Sequence, residues 1–513
     1  MVKTSQVDNK RIAKNTLMLY IRMLLSVVVS LYTSRVVLEV LGVEDYGLYG
    51  LVGGVVAMFS FLNSTMAGAT SRFLTFEMGQ GDESRLKATF SSALIIHIGI
   101  AIFVLLLCET LGLWFLNNKL VIPEGRMYAA HWVLQLSVLG MVVSFTQVPY
   151  NAAIIAHEKM DVYAYVELLH VFLKLGIVYL LSIGNFDKLI LYAFLVLLVN
   201  VLIAFIYRIY CVKKYNETRF SFVWDKGIIT PMFVFSGWEA LGHFGFTFRA
   251  QGVNFVLNMF FGVVINAVTG IATVVQSTLL AFSNNVILAV KPQIIKRYAL
   301  GQYNEMSNLI LSGIRFNLLF ILIINIPFIF CTDYILGLWL KEVPEGCAIF
   351  CKLLMWSTVV SAISQLILAG IQATGNLKAT SIVRNILYIA TPLLIYMIFS
   401  CWDSIPAVSY IIVLVFQVLS AAADILILKS LVSTFNLKEM SYILVKSLVI
   451  ILILCILNSR ILSFNYNNFI QLILILLNSL IILSISFYFF IFSNSERKSI
   501  NKIFTNSFRR IGI

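Results

Sequence analysis

A chain of 513 residues that is 60% hydrophobic and 12% charged is too poor in charge for a soluble domain, where about a quarter of residues carry one. A mean hydropathy of +0.93 and recurring apolar runs of about 20 residues predict an all-α polytopic membrane protein; the runs are too long and too evenly apolar for barrel strands. The net charge of +13 reads as topology and attraction to anionic membrane lipids, and no nucleic-acid partner is expected.

The opening stretch, MVKTSQVDNKRIAKN, is polar and basic. The long apolar run behind it lacks a small-residue cleavage site, so a signal peptide is not expected. Fourteen spans follow, roughly 15–41, 46–78, 87–116, 126–156, 160–183, 188–212, 227–260, 263–292, 305–331, 346–373, 378–400, 405–429, 439–458 and 466–492. With the N-terminus inside, the inner segments hold 23 Lys and Arg and the outer loops 5, an asymmetry that predicts an even count and two cytoplasmic termini. The outer loops are all short. Seven scattered cysteines read as small apolar fillers.

The chain resembles itself at an offset near 220. LGVEDYGLYG (41–50) is similar to FGVVINAVTG (261–270), MGQGDE (78–83) to LGQYNE (300–305), and AHEKMDVYA (156–164) to ATGNLKATS (373–381). The matches fall in order at equivalent points of a six-span unit. Six is even, so two lobes of one orientation are expected, with a cavity between them as in parallel-repeat transporters. The expected organisation is a six-helix lobe at 1–213, a linker at 214–226, a second lobe at 227–432, two additional helices at 433–492 and a basic tail at 493–513.

Enzyme chemistry is missing from the sequence. There is no phosphate-binding GxxxxGK[ST], and HEKMD (157–161) has Asp161 where a zinc protease would have its second histidine. No catalytic residue, cofactor or metal site is expected. Transport remains.

An ionisable side chain inside a span costs about 2.5–3.5 kcal/mol on insertion scales, so each needs a partner or a cavity. Arg72, Arg384 and Asp424 lie near inner ends, where long side chains can snorkel. Arg35 and Glu39 are spaced to pair, and His97 and His131 read as packing residues. Arg22 in span 1 and Glu239 and His243 in span 7 are further candidates, and Arg249 and Arg315 are deep cations. Span 5 differs from all of these. Tyr163, Glu167, His170 and Lys174 fall within about 60° of one helix face. Glu167 lies about 10 Å and Lys174 about 21 Å from the inner start, too deep for easy snorkelling. Either this stripe lines a cavity, or it is a self-neutralising cluster between helices.

TSRVVLEVLGVEDYGLYGLVGGVV (33–56) resembles the opening of bacterial polysaccharide flippases of the Wzx type. NMFFGVVINAVTGIATVVQSTLLAFSNNVILAVKPQIIKRYALGQ (258–302) is similar to their seventh and eighth spans, and the likeness covers essentially the whole chain. That family lies in the multidrug/oligosaccharidyl-lipid/polysaccharide superfamily. The resemblance implies two six-helix lobes in a V plus two extra helices, in the bacterial inner membrane. It implies a flippase that turns an undecaprenyl-diphosphate-linked oligosaccharide (an O-antigen, capsule or exopolysaccharide unit) to the outer leaflet, driven by an ion gradient or by substrate flux. A proton or sodium ion and a polysaccharide polymerase are the implied partners. On that reading Lys174, Arg249 and Arg315 are the expected diphosphate ligands, with Arg22 and Arg35 behind them. Glu167 and His170, with Glu239 and His243 beside them, either carry a proton or only compensate charge. The rival readings are a multidrug or cation exporter of the same superfamily, a membrane polymerase or glycosyltransferase, and a scaffold.

Overall fold

The computed structural model describes residues 2–157, 159–181, 186–223, 225–464, 466–498 and 501, with side chains from Leu24 onward except at 64, 235, 238, 239, 285, 288 and 289. Among the described residues every regular element is a helix. Twelve helices are long and apolar enough to cross a membrane. Two more, α2 (Ser60–Gln80) and α8 (Lys226–Phe261), occupy the second and seventh expected spans. They pack against each other. The chain is a multi-pass membrane protein.

By packing, the chain forms two compact units: residues 1–271 with 388–406, and residues 272–387 with 407–513. The first holds α1 (Val2–Ala57), α2, α3 (Glu83–Leu107), α4 (Leu113–Asn118), α5 (Met127–Ala156), α6 (Met160–Leu180), α7 (Lys188–Lys214), α8 and the start of α9 (Val263–Ala299). The expected linker at 214–226 falls within this unit, because α8 packs on α1, α2 and α3. Its turn is pinned where the His157 imidazole meets the Glu217 carboxylate at 2.6 Å and stacks on Tyr215 at 3.9 Å.

The second unit holds the rest of α9, then α10 (Tyr303–Phe330), α11 (Thr332–Trp339), α12 (Cys347–Thr374), the first part of α13 (Lys378–Cys401), α14 (Val408–Leu431), α15 (Leu437–Ser463) and α16 (Asn468–Ser486). Helix α10 packs on α12, α15 and α16. Its buried amides tie it in place: Asn317 donates to Ser283 and the Ala362 carbonyl, and Asn325 to Thr358 and the Met355 carbonyl. Arg384 and Asp424, expected to snorkel, pair with each other at 2.5 Å.

The second expected span is interrupted. Gly42 (φ 78°, ψ 170°) separates the first span from the next helix, and that helix tightens after Met58, where the Phe59 and Leu62 N–H groups reach carbonyls only three residues back, Val56 and Phe59. The third span also departs from regularity, through a π-turn at Cys108–Gly112.

Backbone glycines carry the repeat more clearly than the side chains do. Gly42 and Gly262 lie 220 positions apart and share one conformation, φ 78° with ψ 170° against φ 75° with ψ −169°. Gly81 and Gly301, again 220 apart, have φ of 77° and 71°; Gly125 and Gly346 have 80° and 78°. The MGQGDE match therefore aligns on Gly81, two residues from its side-chain register.

An ion triad joins three helices of the first unit. Arg126, just ahead of α5, donates to both oxygens of Asp45 on α1 at 2.8 and 2.5 Å, and to Asp187 at 2.6 Å. Asp187 also caps α7, accepting from Leu189 and Ile190.

The region near φ 75° and ψ 180° is open essentially to glycine alone, so Gly42→Ala and Gly262→Ala should each cost about 1–3 kcal/mol. Gly99→Ala, with open space around its Cβ, is the control; thermal unfolding in detergent measures all three. A second test uses pH. Burial alone would push the Asp187 carboxyl up, but bonds from Arg126 and the α7 backbone outweigh it and hold it below the usual carboxylate range. A depressed carboxylate stabilises fully above its unfolded value and less as pH falls through its folded one. Unfolding temperature should therefore drop below about pH 4 by less in Asp187→Asn than in the parent chain.

Candidate functional site

The polar stripe on α6 faces a cavity inside the first unit. Helices α2, α5, α6 and α7 enclose about 250 Å³, into which Glu167 and His170 project beside Asn63, Ser144, Gln147, Asn151 and Asn200. Val148 and Ile203 also line it, and among the described residues no lysine or arginine does. At roughly 30 Å³ per water the space holds several, and the lining is polar enough to keep them.

Its hydrogen bonds are incomplete within the chain. Asn63 donates to Ser144 Oγ at 2.8 Å, Gln147 to Asn151 Oδ1 at 3.4 Å, and Tyr207 to Glu167 Oε1 at 3.4 Å. Asn63 Oδ1 and His170 Nε2 are buried with no hydrogen bond. An orphaned buried polar atom costs about 1–3 kcal/mol, so both atoms favour a polar occupant. A carboxylate, an imidazole and a ring of neutral amides can hold water and exchange a proton. They offer an anion hydrogen-bond donors but no fixed cation.

A larger cavity of about 460 Å³ lies along the same helices, bounded by glycines 50, 53 and 54 of α1, by α5 and α7, and by Gln251 of α8. A third, of about 330 Å³, is apolar and aromatic: Tyr128 and Trp132 from the first turns of α5 meet Phe186 and Phe194 at the start of α7. Rings at helix ends are a common membrane-interface feature.

The expected cations have different surroundings. Lys174 is exposed, one turn beyond His170. Arg249 is buried and lies over the rings of Tyr388 at 4.3 Å and Phe246 at 5.6 Å. Arg315, 4% exposed, gives one arm of its guanidinium to Glu496 at 2.9 Å and another to Glu439, while Ser312 also donates to Glu496. Arg35 is half-buried and His243 exposed. The side chains of Arg22 and Glu239 lie outside the described residues.

Four kinds of residue escaped a search for charges. The amides Asn63, Gln147, Asn151 and Asn200 are neutral, yet Ser144, Gln147 and Asn151 repeat the 3-then-4 spacing of Glu167, His170 and Lys174. A search for polar stripes would have found them. Tyr207 sits at the end of the same pattern on α7. Arg208, counted as a loop charge, reaches Thr146 Oγ1 at 2.5 Å. Glu109, in the π-turn, accepts from Gln135 at 3.0 Å.

Removing Arg315 would strand two carboxylates. Arg315→Met should destabilise the second unit by about 3–5 kcal/mol and expose the α15–α16 hairpin to protease, with Arg315→Lys intermediate. Thermal unfolding and limited proteolysis check this; wild-type behaviour would mean the carboxylates do not need the guanidinium.

Neither a family model nor a curated protein sequence matches the chain. Solved structures do. The lipid II flippase MurJ in an inward closed conformation superposes with a TM-score of 0.70 at 15% identity, covering 91% of this chain and 98% of that one. An inward-facing multidrug resistance MATE transporter of the MOP superfamily gives 0.66 at 13% identity, covering 81% and 95%. A MOP superfamily transporter from Pyrococcus furiosus gives 0.56 at 13%, covering 82% and 96%. At these identities the likeness speaks to fold, and the chain has the polytopic helical fold common to MurJ and the MATE transporters.

Proposed function

We propose that this protein is a flippase that moves an undecaprenyl-diphosphate-linked oligosaccharide from the inner to the outer leaflet of the bacterial cytoplasmic membrane by alternating access, coupled to an ion gradient. The observation that carries the reading is the extent of the likeness to MurJ. It covers 91% of the chain, against 80–82% for the MATE structures, and the difference is about the length of one helical hairpin. The pair α15–α16 is such a hairpin. MurJ acts on a lipid-linked substrate, and the sequence resemblance points to the same class.

In this reading Lys174 and Arg249 meet the diphosphate, because an anion leaving water needs fixed cations. Arg22 and Arg35 are secondary ligands. Arg315 takes part only by exchanging Glu439 and Glu496 for phosphate oxygens. Glu167 and His170 carry the coupling proton in the amide-lined cavity, with Glu239 and His243 as further candidates. Both termini are cytoplasmic, and a polysaccharide polymerase consumes the product.

One observation favours a second reading, a drug or cation exporter of the same fold: among the described residues no lysine or arginine lines the amide-lined cavity or the larger one beside it. Deletion separates the two. A flippase deletion should accumulate lipid-linked oligosaccharide on the inner leaflet without changing drug susceptibility; an exporter deletion should do the reverse. In complemented cells Lys174→Glu and Arg249→Glu should abolish glycan export while the protein still reaches the membrane, and full export would remove them from the site. Glu167→Gln should flatten the response of transport to a pH gradient; an unchanged response would leave Glu167 as a counter-charge.

A further inference from the structure

The larger and the smaller cavity of the first unit are stacked along one seam, the larger mostly apolar with Ser60, Ser137, Asn200 and Gln251 in its wall. On α5, Ser137 and Gly140 line the larger and Ser144 and Gln147 the smaller; on α2, Ser60 lines the larger and Asn63 the smaller. Among the described residues only Asn200 lines both. Across from it α5 has no side chain: a Cβ on Gly140 would stand 3.6 Å from Asn200 Nδ2. On its other side the amide approaches the His170 imidazole. Beyond lie His170 Nε2, buried without a hydrogen bond, and Glu167.

We propose that Asn200 is the junction through which Glu167 and His170 exchange protons with the larger cavity, and that Gly140 keeps the junction open. This rests on the coupling role given to that pair above. An amide donates and accepts at once, so it can hold a water on each face while staying neutral. The proton passes from hydronium in the larger cavity along the bonded waters, past His170, to the Glu167 carboxylate, and a neutral water remains behind. Asn200 is a positioning residue, since it gains and loses no proton.

The charged surroundings of the pair are few. Lys174 lies on α6 itself, and Tyr207 reaches in from α7. Along the cavity, among the described residues, the polar side chains that α2 and α5 present are the neutral Asn63, Ser144, Gln147 and Asn151. Helix α1, packed on α6, has no acid or base but Tyr32 between Leu24 and Ser34; its Arg35 and Glu39 flank Val37, which packs on Val178 further along α6.

The test is a pH jump on purified protein in detergent, with a soluble indicator dye reporting proton uptake by stopped flow. Glu167→Gln should remove the uptake assigned to the pair. Asn200→Leu and Gly140→Leu, from opposite sides of the junction, should slow uptake about tenfold or more while keeping its amplitude, and Asn200→Ser should stay near the wild-type rate. Size-exclusion profiles and unfolding temperatures show which variants fold, and either leucine variant suffices. If Glu167→Gln leaves the amplitude intact, the coupling role fails and the junction with it. If Glu167→Gln removes it but a folded leucine variant takes up protons at the wild-type rate, only the junction fails.

Discussion

A polar group held in lipid has to be answered by another group of the protein, and most features of this chain follow from how that demand is met. Arg315 is answered by Glu439 and Glu496, Arg384 by Asp424, Arg126 by Asp45 and Asp187, and the buried amides of α10 by α9 and α12. Around Glu167 the answers run short beside open space: Asn63 Oδ1 and His170 Nε2 are buried with no bond within the chain, and both residues line a cavity. Arg315 Nε and Asn325 Oδ1 also lack a partner, but each belongs to a side chain whose other polar atoms are bonded.

That contrast reorders the residues that matter. Charge attracts attention in an apolar sequence, but a paired charge is often part of the scaffold. Arg315 illustrates it: two carboxylates distant in sequence meet its guanidinium, and one belongs to the segment after the last span. Neutral amides attract less attention, yet here they build the cavity wall.

Much of the architecture was legible from the residues alone. The spans follow from run length, and the turn glycines mark the repeat because a positive φ leaves few alternatives. The stripe on α6 was legible from spacing, and it faces a cavity. What stayed hidden depends on contacts made far along the chain. The partner of Arg315 and the packing of α8 with the first unit have no local signature. The break at Met58–Phe59 and the π-turn at Cys108–Gly112 also escape, since hydropathy continues through both. The side-chain match at 78–83 sits two residues from the register set by Gly81 and Gly301, because a positive φ constrains the bend and not the polar residues around it.

The aromatic groove at the start of α5 and α7 has a mechanical consequence. Tyr128, Trp132 and Phe186 project outward beside the Arg126–Asp187 pair, so apolar rings and fixed charges adjoin at one level of the first unit. Rings of this kind settle at the headgroup boundary, and the charges beside them resist being drawn below it. This end of the unit therefore has a set height in the bilayer, and where hydrocarbon thickness and helix length disagree, the surrounding lipid must deform to meet it.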